Sequence, residues 1–232
     1  MVLLLLCCAA VAPAQEAEKV RRIGLAVGYS NILDTYLSPE NYTGTEFRFV
    51  ANTTKQTAGK HWQRLMKHEA YFSVTQNRAK TSSELAGMYR FKYGMLYDLS
   101  NIINVKGLRV HAGGHATVNA GFLYNMRNEN NPAQGRLGLN IGPIASADYG
   151  FTLFGCPFAL HYEVSAPLLG LMFSPNYGQS YYEIFTQGNY DHNCVPTTIV
   201  STPSLRQSFT IDFKISNASF FVGYVGDYDQ YR

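Results

Sequence analysis

The sequence predicts an all-β protein, an antiparallel up-and-down transmembrane β-barrel of about ten strands, with eight to twelve possible. The first observation behind this prediction is a regular alternation between positions 84 and 99. The odd positions from Leu85 to Leu99 read Leu, Gly, Tyr, Phe, Tyr, Met, Tyr and Leu, whereas every charge from Glu84 to Asp98 occupies an even position. A period of two is typical of a strand, and a helix would leave no apolar face here.

The length of this alternation is the second observation. Strands in soluble proteins are usually five or six residues long, whereas a strand that crosses a membrane needs about 9 to 11 residues. The alternation here runs for about sixteen residues, which favours a membrane-spanning strand. We therefore expect its apolar positions to face lipid and its charged positions to face the interior of a barrel.

The same pattern recurs along the chain and sets the strand count. Strong alternation is found at 108–124, 137–149 and 158–168. Weaker strands are predicted at 22–33, 45–52, 61–74, 204–215 and 219–228. Short turn-rich connections between them, such as 77–83 and 154–157, indicate an antiparallel meander. Because bacterial barrels normally have an even number of strands, we assign a tenth strand to 180–187, with the next strand starting near Pro196.

The N-terminus predicts export. Val2 to Ala14 is uncharged and almost wholly apolar, and Ala12-Pro13-Ala14 has the small-x-small pattern of a signal-peptide cleavage site. We expect a signal peptide at 1–14 and a single β-barrel domain at 15–232, located in the outer membrane of a Gram-negative cell. The expected partners are outer-membrane lipid and the barrel assembly machinery. The net charge is only +3 and the Lys and Arg residues are dispersed along the chain, so no nucleic-acid partner is expected.

Charged residues recur on the face of the strands that is not apolar. The interior of a small barrel is filled by side chains, and buried charges must be paired. The sequence therefore favours an internal ion-pair network, and an ion path is the alternative. The candidate members of this network are Glu46, Arg48, Glu84, Arg90, Lys92, Asp98, Arg109 and Glu163.

Five glycines share the same inward face of two adjacent predicted strands: Gly113, Gly121, Gly138, Gly142 and Gly150. Glycine in a strand marks curvature or a close approach of another backbone. The alternative is that these positions leave volume free for a ligand, or for the tyrosine-rich segment near "NYGQSYYEIF".

Residue types used by hydrolases occur together at His161, Glu163 and Ser165. Neighbours on one face of a strand stand about 6.6 Å apart, which is too far for the hydrogen bond between a nucleophile and its base. We therefore expect no catalytic residue and no enzymatic activity. An outer-membrane lipid-modifying hydrolase is the first alternative. The second is a soluble lipocalin-like binding barrel, which places its apolar face inside.

The spacing of His111 and His115 would suit a metal only on a helix. Gly113 and Gly114 between them disfavour a helix, and on a strand the two rings lie roughly 13 Å apart. We expect no metal ion and no cofactor.

Two cysteines, Cys156 and Cys194, follow the predicted signal peptide. A ten-strand barrel places both on the periplasmic side, which is an oxidising compartment. We expect them to share that side and to be candidates for a disulfide.

The C-terminal third carries a resemblance. The segments "FSPNYGQSYYEIFTQGNY" (173–190), "PSLRQSFTIDF" and "FFVGYVGDYDQYR" resemble a family of exported Bacteroides-type proteins of unknown function. The resemblance implies an outer-membrane, barrel-like protein and supplies no catalytic residue.

Overall fold

The computed structural model describes residues 7–9, 17–35, 37–57, 61–127, 132–175, 179–190, 192–216 and 218–230. Long β-strands account for most of them. The strands are β1 (Cys7–Ala9), β2 (Ala17–Asp34), β3 (Ser38–Thr57), β4 (Trp62–Asn77), β5 (Ser83–Asp98), β6 (Leu108–Asn125), β7 (Ala133–Leu153), β8 (Cys156–Ser165), β9 (Leu169–Phe173), β10 (Cys194–Thr198), β11 (Leu205–Ile215) and β12 (Ala218–Tyr228). Two short helices are α1 (Ser100–Ile103) and α2 (Tyr181–Phe185).

All the strands belong to one antiparallel sheet, which confirms the predicted all-β antiparallel class. The hydrogen-bonded order is β1-β12-β11-β8-β7-β6-β5-β4-β3-β2. Apart from the three-residue β1, the sheet contains eleven strands. From β2 to β8 each strand pairs with the next one along the chain, which is the predicted meander.

Two of the strands are interrupted. β8 and β9 both pair with β7, and residues 166–168 separate them. Similarly β10 pairs with β9 and β11 pairs with β8, with residues 199–204 between them. Counting each interrupted strand as one, the described chain crosses the sheet nine times, in β2 to β7, β8/β9, β10/β11 and β12.

The tenth strand predicted at 180–187 is wrong, because this segment contains helix α2. The Ser180 side chain accepts a hydrogen bond from the Glu183 backbone N–H at 3.2 Å, and Glu183 accepts one from the Ser180 N–H at 2.8 Å. This reciprocal capping box stabilises a helix start. Neither helix in the described ranges is long and apolar enough to cross a membrane.

The sheet curls until its two ends approach each other. Arg22 of β2 donates to Asp212 of β11 at 2.6 Å, and Ala26 of β2 packs with Phe221 and Val225 of β12. Within the described ranges no strand pairing joins β2 directly to β12. The short β1 pairs with β12 and lies beside β2. Residues 7–9 are the described part of the predicted signal peptide, and the remainder of 1–14 lies outside the described residues.

The two faces of the sheet have opposite chemistry. Apolar side chains at its outer face are strongly exposed, for example Phe47 at 56% and Leu139 at 49%. On β5 the predicted parity is confirmed, because Tyr89, Tyr93 and Met95 are exposed while Arg90 and Lys92 are buried. The polar face is therefore the inside of the curl, the reverse of a lipocalin-like barrel with an apolar interior.

Candidate functional site

Charged side chains from opposite strands meet in the middle of the curl. We call this cluster the ion-pair layer, defined by Glu46, Arg48, Lys67, Glu69, Arg90, Lys92, Glu163, Arg206 and Asp227. Their side chains are 13% exposed or less. Period-two strands supply these inward positions, since alternate side chains point to the same face.

One half of the layer is built around Glu163 of β8. Its Oε1 atom lies 3.2 Å from Lys67 Nζ and 3.5 Å from Lys92 Nζ. Lys67 Nζ also lies 3.6 Å from Glu69 Oε1. Lys92 Nζ donates to Ser165 Oγ at 2.6 Å. This half therefore joins β4 and β5 to β8 across the interior.

The other half joins β3, β4 and β5 to β11 and β12. Arg206 forms ion pairs with Glu69 and, at 3.2 Å, with Asp227. Arg90 lies 3.6 Å from Asp227, and Arg48 binds both Asp227 and Glu46. Removing a buried charge from water is costly unless it is paired, so the alternation of acids and bases makes this crowding tolerable.

Open space lies on one side of the layer. A cavity of about 800 Å³, which we call the vestibule, is lined by Asp34, Glu46, Arg48, Arg136 and Asp227 among others. On the opposite side the space is much smaller, about 30 Å³, and Arg22, Arg109, Asp148 and His161 are among its lining residues. The ion-pair layer thus lies between two unequal spaces.

The structure brings together five of the eight residues predicted for the internal network. Glu46, Arg48, Arg90, Lys92 and Glu163 belong to the ion-pair layer. Each of these five side chains forms at least one ion pair inside the curl.

The other three predicted residues lie outside the layer. Glu84 is buried near the start of β5. Asp98 accepts a hydrogen bond from the Ser100 N–H at 2.8 Å where β5 ends. Arg109 is exposed and lines the small space. All three lie close to the ends of their strands, away from the ion-pair layer in the middle.

Sequence reasoning missed four members of the layer: Lys67, Glu69, Arg206 and Asp227. A signal for two of them was present, because Lys67 and Glu69 occupy odd positions of β4 while Trp62, Met66 and Phe72 occupy even ones. Arg206 shares the even, polar positions of β11 with Ser208 and Thr210. Both faces of β12 are largely apolar, so no alternation marks Asp227.

The inward glycines serve mainly close packing. A Cβ atom at Gly113 would overlap Met95 O, one at Gly121 would overlap Gly87 O, and one at Gly142 would overlap Ala166 O. By contrast, a Cβ at Gly138 would make ordinary contacts, and one at Gly150 would meet nothing within 4 Å.

Of the tyrosine-rich segment, residues 176–178 lie outside the described residues, and the described Tyr181 packs near Gly135. The Gly135 N–H donates to Tyr181 Oη, and the Tyr181 ring lies 6.1 Å from Phe185 and 6.3 Å from Phe173, centroid to centroid. Helix α2 therefore packs at the end of the sheet around Phe173.

The hydrolase-type residues do not meet one another. His161 Nδ1 contacts Asp148 Oδ1 at 2.8 Å, Ser165 contacts Lys92, and Glu163 belongs to the ion-pair layer. His111 and His115 are both buried on β6, and His115 Nδ1 lies 3.1 Å from Thr117 Oγ1. Over the described part of the chain no three His, Cys, Asp or Glu side chains are grouped to hold a metal ion.

The prediction of a shared side and a disulfide for Cys156 and Cys194 is wrong. Cys156 begins β8 beside the β7–β8 turn, whereas Cys194 pairs with Phe173 at the far end of β9. The intervening strands separate them by roughly 50 Å at about 3.3 Å per residue, and a disulfide needs Cα atoms within about 7 Å. Both thiols are free and exposed. The error follows from the tenth strand that the chain does not form.

A family model described as "Protein of unknown function (DUF3316)" matches residues 1–232. No curated protein and no solved structure matches the chain. The expectation of a family of unknown function is confirmed, whereas its exported, Bacteroides-type character stays a prediction.

Proposed function

Because the chain belongs to the DUF3316 family, which has no assigned function, we propose a role from the geometry. The protein is a non-catalytic outer-membrane β-barrel whose interior is blocked by the ion-pair layer. The observation that carries this proposal is the opposition of the two faces, apolar and exposed outside, charged and buried inside. Water solvates such an outer face poorly, and lipid solvates it well.

Strand length agrees with a membrane location. β4 and β5 have 16 residues each, and β2 and β6 have 18. A tilted strand needs about 9 to 11 residues to cross the hydrocarbon core, so each strand also extends beyond it. Polar backbone at an open sheet edge is not tolerated in lipid, and this argues that β2 and β12 close the barrel. The contact of Ala26 of β2 with Val225 of β12, and that of Arg22 of β2 with Asp212 of the adjoining β11, support this closure.

The blocked interior argues against a conducting channel. A pore needs a continuous aqueous path, whereas the ion-pair layer occupies the middle of this interior. The vestibule, which falls within the size range of small-molecule sites, is then the part of the interior open to a polar molecule.

Membrane extraction tests the location. We expect the protein to stay in the membrane pellet in alkaline carbonate and to be released by detergent. Release by carbonate alone would overturn the proposal. In planar lipid bilayers, we expect the purified protein to give no steady conductance, and a stable single-channel current would refute the blocked interior.

Cross-linking tests closure. In a chain whose four natural cysteines (Cys7, Cys8, Cys156 and Cys194) are replaced by serine, the pair Ala26→Cys and Val225→Cys should form an oxidative cross-link without loss of folding. The control pair Ala26→Cys and Ala120→Cys should not form one. Ala120 lies on β6, which β3, β4 and β5 separate from β2 in the sheet. Failure of the first pair to cross-link would show that β2 and β12 stay apart.

One observation favours a lipid-modifying hydrolase as a second candidate. The contact between Lys92 and Ser165 is of the kind used by Ser-Lys hydrolases, and a space of about 50 Å³ adjoins it. That volume is about that of one or two water molecules, far too small for an acyl chain. Hydrolysis of a p-nitrophenyl ester by the wild type but not by Ser165→Ala would favour this candidate, and equal rates would exclude it.

A further inference from the structure

Four basic side chains cluster at one end of the outer face: Lys19, Arg21, Lys55 and Arg64. Lys19 of β2 pairs in register with Lys55 of β3, and Lys55 pairs with Arg64 of β4. Side chains opposite each other on neighbouring strands stand about 5 Å apart. Three cations therefore form one row across three adjacent strands, with Arg21 beside it. We call Lys19, Lys55 and Arg64 the basic row.

The basic row is not neutralised from within the protein. Each of these four side chains is exposed. In the described ranges, no side-chain hydrogen bond or ion pair connects them with another residue. Like charges directly opposite each other destabilise a sheet. The inward charges of the same strands are paired within the protein. The outward basic row is not, so an anion from outside the chain would relieve the repulsion between its cations.

The neighbours of the row place it at a boundary. Towards the middle of the same strands the outer face is apolar and includes Leu25 and Phe49. Towards the strand ends, Trp62 packs edge-on against Tyr97 with ring centroids 5.3 Å apart. Trp and Tyr are enriched where a membrane meets water. The row thus lies at the level that lipid head groups occupy if the apolar face is embedded in lipid.

We propose that the basic row binds the phosphate head group of an anionic lipid, whose acyl chains lie along the apolar face. This inference rests on the proposed membrane location. The ligand must meet both a row of cations and an adjoining apolar surface, which requires an amphipathic anion. Clusters of Lys and Arg beside a membrane attract anionic head groups. A row of three directly opposed cations presents several donors to the oxygen atoms of such a group.

The test uses the full chain in vesicles of phosphatidylcholine mixed with phosphatidylglycerol. After gentle extraction with detergent, native mass spectrometry counts the lipids that remain bound. We expect the wild type to retain phosphatidylglycerol in excess of its share, and the excess to fall with salt. The triple variant Lys19→Gln, Lys55→Gln and Arg64→Gln should lose at least about tenfold of this enrichment, because each basic side chain at an anionic surface changes binding about fivefold.

The matched control removes three exposed cations from turns: Arg78→Gln, Lys80→Gln and Lys106→Gln. It changes the net charge equally and should retain the enrichment. Equal enrichment in both triple variants would overturn the proposal, and so would equal loss in both. Displacement of phosphatidylglycerol by millimolar inorganic phosphate would identify a free-anion site instead of a lipid site.

Flotation separates this inference from the proposed function. Wild-type protein that fails to float with pure phosphatidylcholine vesicles would refute the membrane location and the lipid site together. Protein that floats with these vesicles but shows no preference for phosphatidylglycerol would refute the lipid site alone.

Discussion

Lys67 of β4 and Glu163 of β8 form an ion pair of 3.2 Å across the interior. These two strands share no backbone pairing, since β5, β6 and β7 lie between them in the sheet. The curl of the sheet is therefore fixed by side chains as well as by the hydrogen bonds between neighbouring strands.

The effects of removing Lys67 and Glu163 on the free energy of unfolding should not be additive. Loss of one partner of a buried ion pair destabilises a protein by about 3 to 5 kcal/mol, so we expect that range for Lys67→Met and for Glu163→Leu. The double variant should cost less than the sum of the two, because neither partner is left without the other. Urea unfolding in lipid vesicles measures the four free energies. Lys80→Met, in an exposed turn, is the control, and strict additivity would contradict the coupling.

A charge placed on the outer face tests the lipid contact directly. Phe47 is 56% exposed, so in water Phe47→Arg would be nearly neutral. In a membrane, Arg near the midplane should lower the free energy of unfolding by about 2 to 4 kcal/mol. Phe47→Leu is the matched control and should change it by less than about 1 kcal/mol. If both variants fold equally well in vesicles, this face does not contact lipid.

Replacing two glycines of β7 by alanine should have very different effects on stability. Gly142→Ala would push Cβ into the carbonyl oxygen of Ala166 and should cost about 1 to 3 kcal/mol. Gly150→Ala meets open space and should change stability by less than about 0.5 kcal/mol. Thermal unfolding of the two variants in the same detergent provides the comparison. A neutral Gly142→Ala would mean that the 166–168 interruption does not pack as closely as described.

The two cysteines should react from different sides of a membrane. Cys156 and Cys194 are exposed at opposite ends of the sheet. A membrane-impermeant maleimide should therefore label only one of them in intact cells and both after lysis. The variants Cys156→Ser and Cys194→Ser identify which thiol reacts. Labelling of both in intact cells would contradict the nine crossings.

Local alternation was enough to predict much of the fold. On β5 and β6 the period of two placed each side chain on its correct face, because strand geometry alone decides that question. The helix at Tyr181–Phe185 was missed although Ser180 and Glu183 carry a capping-box signal. The preference for an even strand count outweighed that local signal.

Contacts between side chains across the interior could not be predicted from the sequence. Which inward charge meets which depends on how far the sheet curls, and that depends on the number of strands. Arg206 and Glu69 lie far apart along the chain and meet only because β11 and β4 face each other. No local pattern encodes that meeting.

The interruptions at 166–168 and 199–204 separate the short strands β9 and β10 from β8 and β11, so the two parts should not unfold together. β9 and β10 have five residues each, and among the described strands only β7, through Leu137–Ile141, pairs with their hairpin from the rest of the sheet. The strands on the other side of the breaks, β8 and β11, are held on both edges. Segments with fewer partners open at lower free energy than the rest of a protein. The β9–β10 hairpin and helix α2 should thus form a separate unit of local unfolding, whose amide protons exchange with solvent while those of β4 and β5 remain protected.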